Sequence, residues 1–132
     1  MSDASRKDFL IFSIEAIRDG IANPGIKPGW AMGPFYPRTD LRFSQEFEIK
    51  EWNHNEIQPE WNNHLKIGSE YISVTRGKLI VILGRVSKDG SIEEYDRVEV
   101  MAGHCIILQP GLWRKFEGTL EVIGTSIRKP IV

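Results

Sequence analysis

The sequence predicts an all-β sandwich or barrel preceded by one N-terminal helix, and three observations support this. From Leu41 onward, short alternating or apolar runs recur at regular spacing between Gly, Pro, Asn and Asp residues. Only one stretch, near the N-terminus, has helical periodicity. The chain has 132 residues, 41% of them hydrophobic, enough for one continuous core.

The elements follow in chain order. Residues 5–19 place Leu10, Ile14 and Ile17 at helical spacing, with Ile21 next in the series. Ser5 and Asp8 form a capping pair there and Gly20 a stop, so one amphipathic helix is expected. Residues 23–37 are rich in proline and glycine and carry Trp30, Met32, Phe35 and Tyr36. Such a segment holds little regular structure but has apolar surface to bury, so it reads as an ordered arm against the body or a second subunit.

Beyond Leu41, the run from Arg42 to Trp52 sets Phe43, Phe47 and Ile49 on one strand face. The runs 70–76 and 78–86 are an alternating strand and a fully apolar one. Residues 87–91, Ser-Lys-Asp-Gly-Ser, form a turn, and short strands follow over 92–100, 104–109 and 120–127. Seven or so strands are expected. Residues 1–40 form the helix and arm and 41–132 the barrel, together a single domain.

Composition excludes several function classes. The formal net charge is -1, so there is no excess of positive charge to hold a nucleic-acid backbone, and no nucleic-acid partner is expected. No apolar run approaches the roughly 20 residues of a membrane span, and the N-terminus lacks the apolar centre of a secretory signal. A cytoplasmic protein with no membrane partner is expected. Cys105 is the single cysteine, which rules out an internal disulfide, and its aliphatic neighbours suggest a small buried core residue.

The polar residues of interest lie around the first long strand. In the run Glu70 to Arg76, the alternation puts Glu70, Ile72 and Val74 on the apolar face and Tyr71, Ser73 and Thr75 on the other. A carboxylate aimed into a barrel loses hydration and needs a cation, a metal or hydrogen bonds. Asn62, His64 and Lys66 stand two apart and would face together on a strand, converging with Glu70.

Two segments resemble the paired motifs of the cupin superfamily. The first is His64-x-Lys66-x3-Glu70-x6-Gly77, with Gln58 where the family opens on a glycine. The second runs from Gly103 to Arg114 through Gln109, Pro110, Gly111, Leu112 and Trp113, with Gln109 where the family has proline. The resemblance spans roughly residues 41 to 127 and implies a cupin-type double-stranded β-helix, or jelly roll. It also implies a ligand set of three histidines and one glutamate around a divalent transition metal. Here His64 and Glu70 are kept, while Lys66 and Arg114 occupy the other two positions.

Arginine is always protonated, and a lysine beside a carboxylate normally is, so neither donates a lone pair to a cation. Two remaining ligands are fewer than the three that zinc or iron typically takes from a protein. The site is therefore expected to hold no metal and to use no cofactor. In the alternative, His54, His104 or Asn62 joins His64 and Glu70 in a metal-dependent dioxygenase or isomerase.

The replacements suggest a pocket for a small anionic or sugar-like molecule. In this reading Lys66, Arg114 and Asn62 bind the ligand, Trp61 and Trp113 wall it, and Glu70 with His64 serves as an acid and base pair. A metal-independent isomerase or lyase would fit such a set. In the third reading Lys66, Glu70 and Arg114 neutralise one another in a non-catalytic structural or regulatory subunit. Sheet edges and the aromatic arm, with the family resemblance, also point to a homodimer.

Overall fold

A computed structural model gives the fold and describes residues 8–21, 25–63 and 68–130. The elements are helix α1 (Ile14–Asp19) and strands β1 (Trp30–Met32), β2 (Glu48–Asn53), β3 (Glu70–Arg76), β4 (Lys78–Val86), β5 (Ile92–Met101), β6 (Cys105–Leu108), β7 (Trp113–Gly118) and β8 (Ile123–Arg128). The strands form a five-stranded sheet in the order β1-β2-β8-β3-β6 and a three-stranded sheet in the order β5-β4-β7. All the strand pairings are antiparallel.

The core lies between the two sheets and is built from Trp52, Ile72, Val74, Leu79, Val81, Val100, Leu108 and Val122. Apart from Val122, which stands just before β8, these residues come from β2, β3, β4, β5 and β6, at alternate positions where one strand supplies two, as period-2 strands require. The faces of β3 are as the sequence predicts: Glu70, Ile72 and Val74 are buried and Tyr71 is exposed. The predicted 87–91 turn joins β4 to β5, with Ser87 N donating to Ser91 O at 2.8 Å. Gly77 closes β3 onto β4 with φ of 74°, a left-handed conformation that glycine adopts without steric cost.

Four expectations change. The helix begins at Ile14 rather than near residue 5: Ser13 caps it by accepting a hydrogen bond from Ala16 N. Residues 8–13 are not helical, and Phe9 and Ile11 stand in solvent, so the apolar period is continued in sequence without a body to pack against. Ser5 lies outside the described residues, while Gly20 does end the helix, in the left-handed conformation.

Cys105 is exposed rather than buried, because β6 points its odd-numbered residues outward and Ile106 and Leu108 inward. The arm also contributes a strand, β1, which pairs with the edge of β2. Tyr36 anchors the arm by donating from its hydroxyl to Trp30 O at 2.8 Å. Burial pushes the pKa of that hydroxyl up.

The inner and outer faces of the five-stranded sheet differ from what β2 suggests in sequence. Its inward residues are Glu48, Lys50 and Trp52, which line a pocket, and Ile49 faces outward. Ile49 lies opposite Ile127, Ile127 opposite Tyr71, and Tyr71 opposite Ile107. Met32 of β1 extends this apolar row by pairing with Ile49. Tyr71, Ile107 and Ile127 are 39%, 60% and 36% exposed.

Candidate functional site

A pocket of about 130 Å³ opens between the sheets at the end where β2, β3, β7 and β8 meet. Its apolar lining comes from Trp30, Trp52, Ile57, Ile72, Leu79 and Phe116. Its charged lining is Glu48, Lys50, Glu56, Glu70, Arg114 and Arg128. The alternation of each strand aims these groups inward: Glu70 precedes the core residue Ile72 by two, and Arg114 precedes Phe116 by two.

At the centre, Arg114 Nη2 stands 2.8 Å from Glu70 Oε1, and the two side chains are 3% and 6% exposed. The two form a close, buried ion pair, so Oε1 has the charge of the guanidinium directly beside it. Burial works against the charge on Arg114 and lowers its pKa, while the Glu70 carboxylate opposes that effect. Arg128, one strand away, places Nη1 3.9 Å from Glu70 Oε2 and donates from Nε to Glu48 Oε1 at 2.6 Å. Lys50 and Glu56 make a further pair at 3.5 Å.

Asn62 holds Arg114 from the side. The two residues exchange backbone hydrogen bonds of 3.0 Å in an isolated antiparallel bridge, and Arg114 Nε donates to Asn62 Oδ1 at 3.0 Å. The segment before Asn62 therefore runs along β7, where Phe116 N also donates to Gln58 O. This pins the guanidinium in one orientation beneath the pocket.

Of the residues singled out in the sequence, the structure brings together Asn62, Glu70 and Arg114. His64 and Lys66 lie outside the described residues. Trp61 and Trp113 are not part of the pocket wall. Trp113 alternates with the inward Arg114 and faces the other side of β7, opposite Gly84. Trp61 packs over Gly84, where a Cβ would come 2.9 Å from its ring, and Lys115 Nζ lies 4.6 Å above that ring. The aromatic wall is instead Trp30, Trp52 and Phe116, with Lys50 and Arg128 each 5.2 Å from the Trp30 ring.

Sequence reasoning missed Glu48, Lys50 and Arg128. The signal was present in the strand period: Glu48 and Lys50 alternate with Ile49, and Arg128 alternates with Ile127.

Of the four ligand positions that the resemblance implies, the two described ones, Glu70 and Arg114, do not suit a divalent cation. Among the described residues, no three His, Cys, Asp or Glu side chains converge. Glu70, the carboxylate kept from the first motif, is flanked by two guanidiniums, one of them at the histidine position of the second motif. A divalent cation at Glu70 would sit beside fixed positive charge. His54 and His104 do not join Glu70 in the pocket wall.

No family model and no curated protein matches the sequence. Solved structures do match in fold. The hydroquinone 1,2-dioxygenase PnpCD, in complex with Cd2+ and 4-hydroxybenzonitrile, superposes with a TM-score of 0.50 at 15% identity, covering 66% of this chain and 60% of that one. Hydroquinone 1,2-dioxygenase from Sphingomonas sp. TTNP3, with 4-hydroxybenzoate bound, gives 0.49 at 13% identity over 64% and 59%. A cupin-2 domain protein from Shewanella frigidimarina gives 0.45 at 17% identity over 64% and 69%. The match spans about three fifths of the dioxygenase chains. Among the described residues, no helix is long and apolar enough to cross a membrane. The paired antiparallel sheets give this chain an all-β jelly-roll fold of the kind the hydroquinone 1,2-dioxygenase PnpCD has.

Proposed function

We propose that the chain binds a small anionic or sugar-like molecule in the barrel pocket, in contact with Glu70 and Arg114 and without a metal. The observation that carries this reading is the buried Glu70–Arg114 pair at the pocket wall, where the family's metal ligands would stand. Burying two charges is expensive, and apolar residues of the same volume would pack more favourably. A charged pair kept at the wall of an open pocket offers fixed polar contacts to a guest, and Trp30, Trp52 and Phe116 offer apolar surface beside them.

The pocket volume is close to that of engineered cavities of about 150 Å³ that take up one six-membered ring. If a reaction follows binding, Glu70 is the group placed to take part in it, as a metal-independent isomerase or lyase would require.

The test is a melting-temperature screen of sugars, sugar phosphates, hydroxy acids and keto acids on metal-free protein. A ligand specific for the folded state adds about 2.7 kcal/mol at a hundred times its dissociation constant. Hits should lose their effect in Arg114→Lys, which keeps the charge but not the forked geometry. If no compound of any class stabilises the protein, the ligand reading fails and the pair is purely structural.

A further inference from the structure

Resting on that reading of the pocket, we infer that its ligand is a neutral polyhydroxylated molecule, with one hydroxyl seated between Arg128 and Glu70. Arg128 Nη1 and Glu70 Oε2 are 3.9 Å apart, too far for a direct hydrogen bond. An oxygen about 2.7 Å from the carboxylate and about 2.9 Å from the guanidinium fits that gap, since the three distances close a triangle.

Such an oxygen must donate to Glu70 and accept from Arg128 at once. A hydroxyl does both, since it carries one donor and two acceptor lone pairs. A carboxylate or phosphate oxygen only accepts, so it would meet Glu70 with like charge. An ammonium only donates, so it would meet Arg128 in the same way.

The rest of the lining also favours a neutral guest. Each cation of the described lining already has a carboxylate: Arg114 has Glu70 at 2.8 Å, Arg128 has Glu48 at 2.6 Å and Lys50 has Glu56 at 3.5 Å. The described lining holds three carboxylates and three cations, so an anion finds no uncompensated charge there. It would have to break a pair and leave a buried carboxylate alone, which is the costly outcome. A neutral polyol breaks none, and its hydroxyl gives Glu70 Oε2 a donor.

The experiment measures binding of D-glucose, D-xylose and myo-inositol, and of citrate and D-glucose 6-phosphate, by calorimetry and by ligand-observed NMR. It uses the wild-type chain, Arg128→Gln and Glu70→Gln. At least one neutral polyol is expected to bind the wild type, and Arg128→Gln is expected to weaken it roughly tenfold, the loss of one hydrogen bond to a charged group. Arg128→Gln takes the cation from the buried Glu48, so circular dichroism checks that it is folded, and Arg128→Lys, which keeps the charge but not the forked geometry, is measured beside it and should also weaken polyol binding. Glu70→Gln, whose amide oxygen still accepts, should weaken binding less than Glu70→Leu. Binding of the anions with none by the polyols would overturn the inference and leave the broader ligand reading standing. No binding by either class would overturn both. Polyol binding unchanged in Arg128→Gln would overturn the placement of the hydroxyl.

Discussion

Glu48 and Arg128 stand directly opposite one another in the β2–β8 ladder, eighty residues apart in sequence, and Arg128 Nε reaches Glu48 Oε1 at 2.6 Å. Because of this pairing, Arg128 is held over Glu70 and makes the pocket centre a chain of four charges, Glu48–Arg128–Glu70–Arg114. Members of such a chain should not contribute independently. Removing Glu48 and Arg114 together should therefore differ by at least about 0.5 kcal/mol from the sum of the single losses, although the two side chains make no direct contact. A double-mutant cycle from urea unfolding of Glu48→Gln and Arg114→Met measures this, and strict additivity would show that the chain is only a set of separate pairs.

Truncating one member of the central pair leaves the other charge buried. Glu70→Ala and Arg114→Ala should each cost about 3–5 kcal/mol, whereas Glu70→Leu with Arg114→Met should recover most of that loss. Equilibrium unfolding compares the three variants. Single losses below about 1 kcal/mol would mean that water reaches the pair freely.

The motif alignment predicts a gain of metal binding. Lys66→His with Arg114→His restores three histidines and a glutamate at the family's ligand positions, and the folded double variant should bind zinc or nickel. Elemental analysis after dialysis gives the answer. Failure to bind either metal would place the first motif out of register with Glu70.

The sheet exterior bears on assembly. The row Ile49–Ile127–Tyr71–Ile107 crosses four strands without a charged residue, and a homodimer is the state expected for it. Light scattering should find a dimer at micromolar concentration, and Tyr71→Glu with Ile107→Glu should shift it to monomer. A wild-type monomer would contradict this.

A pH effect follows from the arm. Asp40 accepts from Arg42 Nε at 3.0 Å and from Arg42 Nη2 at 2.8 Å, and these bonds hold its pKa below the usual carboxylate range. The folded chain thus binds a proton at Asp40 less readily than the unfolded chain does. The resulting stability is present above the unfolded value of about 3.9 and is lost as pH falls through the lower folded value. Asp40→Asn should cost about 1 kcal/mol at neutral pH, for a partly exposed pair. Unfolding curves of the two proteins should converge as pH drops below about 3.9. A difference that stays constant down to pH about 2 would assign the loss to packing instead.

The sequence pattern revealed some of this site and hid the rest, for identifiable reasons. Glu70 was legible because its strand alternates cleanly, and Arg114 because the motif spacing places it. In β2 the inward residues are Glu48 and Lys50 and an outward one is Ile49, so hydrophobicity pointed to the wrong face. β7, Trp-Arg-Lys-Phe-Glu-Gly, reads as too polar for a strand because its buried members include an arginine. β1 has only three residues and owes its existence to the neighbouring edge of β2, a long-range fact that local pattern does not carry.

Trp52 lies opposite Gly124 on the inner face of the sheet, and a Cβ on Gly124 would fall 2.4 Å from the indole and 2.3 Å from Ser73 O. The bare backbone of β8 is thus the bed on which the indole reclines, leaving the space above it open. A single methyl group at position 124 would press on the Trp52 ring and on the Ser73 carbonyl together, so the ring would have to move and β8 would have to part from β3, although residue 124 is not among those lining the pocket. The room left for a guest is therefore set partly from behind the wall, by a position whose bareness also lets two strands of the sheet stay together.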